Sequence, residues 1–435
     1  MTFKLFVVAV LATAASALAF RVPVQGSDVE RTILRRVDAN NADAVMLLGR
    51  VVNINSGTRN VDGGRQVGQV FRSEFDALGF RTRWVDGAAW QRAGHLVADH
   101  PGPGPRVLLI GHLDTVFEKD SPFQRFQRID ARTARGPGII DMKGGDVIIL
   151  SALKALHQAG VLPRLNVIVV MTGDEESVGR PLSAAREALV AAAVGADVAV
   201  GFEDGPGDPR YAVTARRSSS RWDLAVKGTP SHSSQIFRAD VGYGAIFEAA
   251  RILNAFRERL AGEPHLTFNP GAFVGGTEAE LDPVGGAGTA SGKSNVVAER
   301  ARVTGDIRAL THEQLAAARA AMLEIVKGSL SRTSATLTFE DGYPPMAPSE
   351  GNARLLALYS AASVDLGTGP VAAADPDRAG AADVSFVADR VKMVLDGVGL
   401  MGRDDHTANE TADLATLPSQ TKRAALLLYR LNPVP

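Results

Sequence analysis

Short apolar runs alternate with helical segments in the first half of the chain, and this alternation constrains the fold more than any other feature. Val107–Ile110 is apolar throughout and is bounded by Pro and Gly, as is typical of a strand buried on both faces. Further strands are predicted at 165–171 and 197–202, with helices over 145–159 and 181–194 between them. Such a β-α-β-α-β series predicts an α/β fold with a mostly parallel sheet that helices cover.

A different pattern begins near residue 212. Alternating residues at 221–226 predict an antiparallel strand. The following segments predict a smaller α+β domain. Its predicted elements are helices at 243–260 and 311–327, strands at 301–307 and 335–339, and a Gly-rich loop at 275–292. The α/β pattern then resumes with a strand at 391–395 and a closing helix after residue 417. We therefore predict a larger domain in two parts, 20–211 and 341–435, with an inserted domain at 212–340.

The composition is that of a globular protein of more than one domain. The chain has 435 residues, of which 45% are hydrophobic and 22% are charged, and its formal net charge is −1. This balance provides no electrostatic surface for nucleic acid, so no nucleic-acid partner is expected. Because the chain has no cysteine, it forms no disulfide, and any metal must be held by nitrogen and oxygen atoms.

Residues 1–19 have the three parts of a secretory signal peptide. Lys4 is the basic start, Leu5–Ala15 is a short apolar core, and Ala17–Ala19 is a small-residue cleavage site. The alternative is a buried N-terminal helix. No later segment has about 18 uninterrupted apolar residues, so we expect an exported protein, periplasmic or secreted, without a membrane anchor.

Imidazole and carboxylate side chains follow several of the predicted strands. Because the carboxyl ends of parallel strands meet at one edge of a sheet, we expect these side chains to lie together: His112, Glu175, Glu176, Glu203 and His406. Asp141 stands at the head of a helix, where it could instead be an N-cap, and Asp204 competes with Glu203 as a ligand. Such a set of ligands predicts a dinuclear metal centre, and hydrolysis is the leading chemistry.

Five motifs give the chain a specific resemblance: G-H-L-D-T at 111–115, G-I-I-D-M-K-G-G at 138–145, T-G-D-E-E-S-V-G at 172–179, G-F-E-D-G at 201–205, and the late His406. The chain resembles the zinc-dependent exopeptidases and deacylases that include glutamate carboxypeptidase, aminoacylase and succinyl-diaminopimelate desuccinylase, and the glutamate carboxypeptidase branch is nearest. The resemblance implies two zinc ions, for which Co²⁺ or Mn²⁺ could substitute. It implies the following roles: His112 and Glu203 on one ion, Glu176 and His406 on the other, Asp141 bridging them, and Glu175 as general acid/base. Asp114 is suited to orient the His112 ring.

The inserted domain resembles the lid and dimerisation domain of that family. The resemblance implies that His232 reaches across a homodimer to the reacting oxygen, and that Asn295 and Arg308 grip the substrate carboxylate. Gly380 lies in Ala379–Asp383, where the family has a glycine-rich stretch at the substrate. Around Glu340–Tyr343 no arginine stands where the glutamate-specific branch has a basic pocket, and the local charge is acidic.

We therefore expect a dizinc metallopeptidase that releases an amino acid from a small peptide or an N-acyl amino acid, in the manner of a carboxypeptidase. The alternatives are an N-acyl-amino-acid deacylase or an aminopeptidase on the same scaffold, and a metal-binding protein without turnover. Retention of Glu175 disfavours the last, because a binding protein has no use for a proton acceptor beside a ligand.

Overall fold

The computed structural model describes residues 26–282 and 286–432. The predicted signal peptide lies outside the described residues. The described helices are α1 (Asp28–Val52), α2 (Val61–Ala77), α3 (Gly144–Gln158), α4 (Leu182–Ala193), α5 (Gly244–Leu260), α6 (His312–Lys327), α7 (Glu350–Asp365) and α8 (Thr416–Arg430). None of them combines the length and the apolar character that a bilayer-crossing helix needs.

The described strands belong to one main sheet, one sheet in the inserted domain and several small ribbons. In chain order they are β1 (Arg81–Asp86), β2 (Gly94–His100), β3 (Arg106–His112), β4 (Gln127–Arg128), β5 (Thr133–Arg135), β6 (Asn166–Thr172), β7 (Val198–Gly201), β8 (Tyr211–Ala212), β9 (Ser219–Lys227), β10 (Thr267–Gly276), β11 (Glu278–Leu281), β12 (Gly288–Ser291), β13 (Arg300–Arg308), β14 (Ser334–Tyr343), β15 (Ala372–Ala373), β16 (Met393–Leu395), β17 (Gly402–Arg403) and β18 (Thr411–Asp413).

The main sheet has the strand order β1-β2-β6-β3-β7-β16. The pairs β6–β3, β3–β7 and β7–β16 are parallel, whereas β1–β2 and β2–β6 are antiparallel. Successive residues of β3 enter different cores, because Leu109 packs with α1, α3 and α8 while Leu108 packs with α4. A strand that buries both faces has no polar alternation, which explains the continuous apolar run in the sequence. The predicted fold class is confirmed.

The inserted segment forms a separate antiparallel sheet with the order β10-β13-β9-β14. Its core contains Trp222 from β9, Phe256 from α5 and Met322 from α6, so the two helices cover one face of the sheet. The Gly-rich segment predicted as a loop instead contains the antiparallel pair β11–β12. The two strands have only four residues each, and the glycines that flank them are typical of a loop, so the sequence pattern favoured a loop there.

Helix boundaries follow local capping. The side chain of Ser27 accepts the N–H of Glu30, and the Glu30 carboxylate accepts the N–H of Ser27, so this capping box starts α1 at Asp28. At α6, Thr311 accepts the N–H of Gln314, but the Gln314 side chain accepts from Leu310 rather than from Thr311. The capping box of α6 is therefore only half formed.

A small antiparallel sheet with the order β17-β18-β5-β4 lies beside the main sheet. His406 lies in the turn between β17 and β18 rather than directly beyond a strand of the main sheet. The prediction that His406 follows the last main strand is thus incomplete, because β17 lies between β16 and His406 and redirects the chain.

Candidate metal centre

Three adjacent parallel strands deliver ligand side chains to one edge of the main sheet. His112 is the last residue of β3, Glu175 and Glu176 follow β6, and Glu203 follows β7. Since β3 pairs with both β6 and β7, the ends of the three strands are neighbours. The strand ends therefore converge as the sequence predicts.

Asp141 lies between the two histidines. Its Oδ1 is 3.0 Å from His112 Nε2, and its Oδ2 is 2.8 Å from His406 Nε2. Glu203 Oε1 lies 3.5 Å from His112 Nε2, and Glu176 Oε2 lies 3.2 Å from His406 Nε2. The arrangement has two halves that share Asp141, each with one imidazole and one further carboxylate. This is the geometry that a bridging carboxylate between two ions requires.

Two other carboxylates stand close to these ligands. Potential ligand atoms of Asp405 lie within 4.8 Å of those of Asp141 and His406, so Asp405 competes with Glu176 for the second half. Asp204 lines the same cleft, but the group of atoms within 4.8 Å of one another on the first half comprises His112, Asp141 and Glu203. The geometry favours Glu203 over Asp204.

The set of donor atoms fits a pair of divalent cations. Burial and the charge of Asp141 raise the pKa of Glu176 and that of Glu203 to about 7. Glu176 Oε1 is buried and has no hydrogen-bond partner among the described residues. Crowded carboxylates with an unsatisfied buried oxygen are costly alone, whereas bound cations would satisfy them. Oxygen and nitrogen ligands without thiolate suit Zn²⁺, Mn²⁺ or Co²⁺.

The surrounding carboxylates raise the pKa values of both histidines. Although burial lowers it, the charge of Glu203 and hydrogen bonds to Asp114 and Asp141 raise the pKa of His112 well above its ordinary value. Hydrogen bonds to Asp141 and Glu176 raise the pKa of His406 to about 11. Cations would therefore have to displace protons from both rings.

Asp114 organises the loop after β6 more than it organises the imidazole. Its carboxylate accepts the N–H groups of Glu175 and Glu176 at 2.9 and 3.2 Å and the Thr58 hydroxyl at 2.6 Å. His112 Nδ1 lies 3.1 Å from the main-chain carbonyl of Asp114 and 3.5 Å from its carboxylate. The residue holds the ring as predicted, but the nearer acceptor is the carbonyl, and the carboxylate fixes the neighbouring acidic loop.

Glu410 is a second organising residue, which the sequence analysis missed. Its buried carboxylate accepts the N–H groups of Gly138, Ile140 and Asp141 at 2.8, 2.9 and 3.2 Å. Burial and the charge of Asp141 raise the pKa of Glu410 to about 8, against the effect of these donors. The turn that carries Asp141 is irregular, so its N–H groups need an outside acceptor. The spacing His406-x-x-x-Glu410 was the available signal.

Glu175 and Glu176 separate two clefts. The first, of about 410 Å³, is lined by the metal-ligand carboxylates together with Arg216, Gly380 and His406, and we call it the metal-side cleft. The second, of about 580 Å³, lies between these glutamates and the inserted sheet, and we call it the lid-side cleft. The Glu175 carboxylate makes no hydrogen bond to another described residue. Burial and the charge of Glu203 raise the pKa of Glu175 well above its ordinary value, which suits a proton acceptor.

The lid-side cleft is not acidic in the way the sequence suggested. Glu340 forms ion pairs with Arg180, at 2.7 Å, and with Arg221. Both arginines line this cleft beside Glu340. They come from distant segments, so the local sequence around Glu340 could not reveal that its charge is compensated.

The proposed substrate residues lie in three different places. Gly380 borders the metal-side cleft, and its carbonyl accepts from Arg216 at 2.6 Å. Arg308 pairs with Asp306 at 3.0 Å beside the lid-side cleft. His232 and Asn295 lie together on the exposed surface of the inserted domain, where the Asn295 carbonyl accepts from Ser233. Within the described residues, neither of the last two contacts a metal ligand.

The chain is similar in sequence to a peptidase family and to two characterised enzymes. The model of Peptidase family M20/M25/M40 matches residues 108–430. The chain is 26% identical over 396 residues to carboxypeptidase G2 of Pseudomonas sp. (strain RS-16), covering 89% of each chain. It is 26% identical over 354 residues to succinyl-diaminopimelate desuccinylase of Rhodospirillum centenum, covering 78% of this chain and 85% of that protein.

A solved structure has the same fold. The Bacillus subtilis YXEP protein, described as a dinuclear metal-binding peptidase from the M20 family, is 15% identical and superposes with a TM-score of 0.62. The match covers 91% of this chain and 99% of that chain. The family resemblance predicted from the motifs is confirmed.

Proposed function

The chain belongs to Peptidase family M20/M25/M40, and on that premise we propose that it is a two-zinc exopeptidase that releases an amino acid from a short peptide or an N-acyl amino acid. It is a metal-dependent hydrolase of a family with dinuclear metal-binding members. The finer points of the proposal are the metal, the substrate and the roles of individual residues.

The position of Asp141 carries the proposal. One of its carboxylate oxygens faces each histidine, and Glu203 and Glu176 extend the two halves. His112, Asp141 and Glu203 would hold one ion, and His406, Asp141 and Glu176 the other. Three protein ligands on each ion leave a position open for substrate or water, as catalysis requires.

Glu175 is placed to move the proton. When bound, a pair of zinc ions supplies Lewis-acid chemistry to the scissile carbonyl and to water. Glu175 lines both clefts, and its carboxylate makes no hydrogen bond within the described part of the chain, so this carboxylate can accept a proton from the attacking water and later donate it to the leaving nitrogen. Asp114 and Glu410 orient the loops without contacting substrate.

Metal analysis tests the dinuclear assignment directly. The purified protein is stripped with a chelator and titrated with Zn²⁺, Co²⁺ or Mn²⁺, and bound metal is measured by mass spectrometry. We expect two ions per chain and recovery of hydrolysis with the second equivalent. A plateau at one ion, or activity that is unaffected by complete metal removal, would contradict the proposal.

A substrate panel tests the carboxypeptidase assignment. Dipeptides and N-acyl amino acids are compared with the same compounds blocked as carboxamides, and free amines with N-blocked ones. We expect a need for the free carboxylate and indifference to a blocked amine, in line with the likeness to carboxypeptidase G2. A need for the free amine would instead identify an aminopeptidase.

An N-acyl-amino-acid deacylase is the second candidate, and the likeness to succinyl-diaminopimelate desuccinylase favours it. Such an enzyme would cleave succinyl- or acetyl-amino acids faster than peptides with the same released residue. The ratio of kcat/KM for the two classes decides between the candidates.

We propose that the active form is a homodimer. The inserted domain exposes an aromatic cluster in which the Phe237 ring lies 5.3 Å from Tyr243 and 5.8 Å from Phe247. Ile246 lines one cleft with Tyr243 and Phe247, and Phe273 is also exposed on this domain. Exposed apolar surface of this kind is typical of a protein contact. His232 lies exposed on the same domain, which is consistent with a role in the partner's active site. Sedimentation of the metal-loaded protein tests the proposal.

Export to the periplasm or the medium is the last part of the proposal. Its support is the three-part pattern of residues 1–19. Cell fractionation together with the N-terminal mass of the mature protein tests it, and we expect cleavage after Ala19. An intact N-terminus in the cytoplasmic fraction would contradict export.

A further inference from the structure

The main chain of Glu175 is fixed on both sides of its Cα. The Asp114 carboxylate accepts its N–H at 2.9 Å, and the Tyr343 hydroxyl donates to its carbonyl at 2.5 Å. These contacts orient the two peptide groups that flank the residue, so only the side-chain torsions of Glu175 remain free. One contact comes from the main-sheet domain, and the other comes from the last residue of β14 in the inserted sheet.

The direction of the Tyr343 hydrogen bond is set by Arg186. Arg186 Nη2 donates to the Tyr343 hydroxyl oxygen at 3.3 Å, and a guanidinium cannot accept. The hydroxyl proton is therefore left for the Glu175 carbonyl. Arg186 is only 2% exposed and is anchored by Asp174, whose Oδ1 lies 2.6 Å from Nη1. Its Nε also lies 2.8 Å from Asp383 Oδ1, an ion-pair contact rather than an aligned hydrogen bond.

Tyr343 stands where the inserted domain rejoins the main-sheet domain. The pairing of β14 with β9 shifts register between Glu340 and Tyr343, which turns the chain out of the regular ladder. The Tyr343 ring then packs on Phe386, with the ring centroids 5.1 Å apart. Three residues further on, Met346 forms a bridge with Arg216 in the outgoing connection. The Tyr343 hydroxyl thus connects the end of the inserted domain to the loop that carries Glu175 and Glu176.

We propose that Tyr343 is a positioning residue for Glu175, and that its hydroxyl holds the backbone from which the Glu175 carboxylate reaches the reacting water. Arg186 fixes the hydroxyl, and Asp174 and Asp383 fix Arg186. This inference rests on the proposed role of Glu175 as general acid/base. It differs from a role in substrate contact, because the hydroxyl is engaged by the Glu175 carbonyl.

The test compares Tyr343→Phe with Tyr359→Phe in the full-length, metal-loaded protein. Tyr359 is buried, whereas Tyr343 is half-buried, and the Tyr359 hydroxyl donates to Gln420 at 3.3 Å, away from the acidic loop. Each variant loses one hydroxyl that donates to an oxygen acceptor, so the two should lose similar thermal stability. Steady-state kinetics, bound metal and hydrogen exchange of the peptide that contains residues 173–178 are measured for both.

For Tyr343→Phe we expect kcat to fall by about tenfold to a hundredfold with KM changed less than about threefold, since small misplacement of a catalytic group has that effect. Two ions should remain bound, and the loop amides should exchange at least about fivefold faster. Tyr359→Phe should match the wild type in kcat and in exchange of this peptide.

The outcomes separate this inference from the proposed function. If Tyr343→Phe retains wild-type kcat and loop protection in an active enzyme, the positioning inference fails alone. A loss of kcat without faster loop exchange, or an equal loss in Tyr359→Phe, would also overturn it. If the wild type hydrolyses no member of the panel, the proposed function fails, and loop exchange still decides whether Tyr343 holds Glu175.

Discussion

Replacing Glu410 with alanine should release Asp141 and weaken metal binding, although Glu410 is not one of the proposed ligands. Its carboxylate accepts three N–H groups of the turn that carries Asp141. The N–H groups of Gly138 and Ile140 are buried, so water cannot easily replace the lost acceptor. The bridging carboxylate would then no longer be held between the two histidines.

The expected magnitude follows from these three bonds. Each buried donor left unsatisfied costs about 1–3 kcal/mol, so the loss of the acceptor for three donors in Glu410→Ala should lower the free energy of unfolding of the metal-free protein by roughly 3–9 kcal/mol. Glu410→Gln keeps one oxygen for Ile140 and Asp141 but turns an amide N–H₂ toward Gly138. It should therefore cost only about 1–3 kcal/mol. Loss of an outer partner of a metal ligand typically weakens metal affinity about 10- to 100-fold.

Chemical unfolding of the metal-free variants and calorimetric titration with Zn²⁺ measure the two effects separately. Glu248→Gln is a matched control, because Glu248 is a buried carboxylate in the inserted domain that accepts from Leu330 at 3.1 Å and pairs with Arg251. The control should lose stability and keep its metal affinity. If Glu410→Ala binds both ions as tightly as the wild type, the argument that Glu410 holds Asp141 is refuted.

Three further predictions concern the base, the dimer and the metal. Glu175→Gln should still bind two ions but lose about 10²- to 10⁴-fold in kcat, because the amide cannot accept a proton; unchanged turnover would refute the assignment. If the proposed homodimer forms, Phe247→Asp should convert it to monomers in sedimentation and lower activity, since the substitution places a charge in the exposed aromatic cluster; a variant that stays dimeric would show that this cluster is not the interface. Zn²⁺ affinity should rise as pH rises from 6 to 8, with proton release detected by calorimetry in buffers of different ionisation enthalpy. The raised pKa values of His112 and His406 keep both rings protonated without metal, so protons compete more strongly at lower pH. Affinity that is independent of pH would show that the metal-free rings are neutral.

The sequence predicted that the candidate ligands of the main sheet converge at one edge, because their positions follow from local patterns. An apolar run marks β3, and His112 stands at its end, so the edge of a parallel sheet could be inferred without knowing any tertiary contact. His406 was expected beyond the last main strand, but the elements on either side of it were not predicted, since β17 and β18 form a small sheet with no strong apolar signal. The hairpin β11–β12 was missed because each of its strands has only four residues and glycines flank them.

Glu410 and Tyr343 were missed, because each acts across a long separation in the chain and nothing in its local sequence reveals that contact. Glu410 binds a turn 269 residues earlier, and Tyr343 reaches a carbonyl 168 residues earlier. A buried glutamate that accepts backbone N–H groups and a surface glutamate look alike in a sequence. Only the convergence of the chain in three dimensions distinguishes them.

Asp114 shows why the metal ligands and the base should not behave as independent parts. Its main-chain carbonyl lies 3.1 Å from the His112 ring, while its carboxylate accepts the N–H groups of both Glu175 and Glu176. A change that moves Asp114 is therefore expected to shift a candidate ligand of each half and the proposed proton acceptor together. Tyr343 holds the same loop from the opposite side through the inserted domain. Because the loop is fixed jointly by the two domains, their relative position and the geometry of Glu175 are mechanically linked, and effects measured at one are expected to depend on the state of the other.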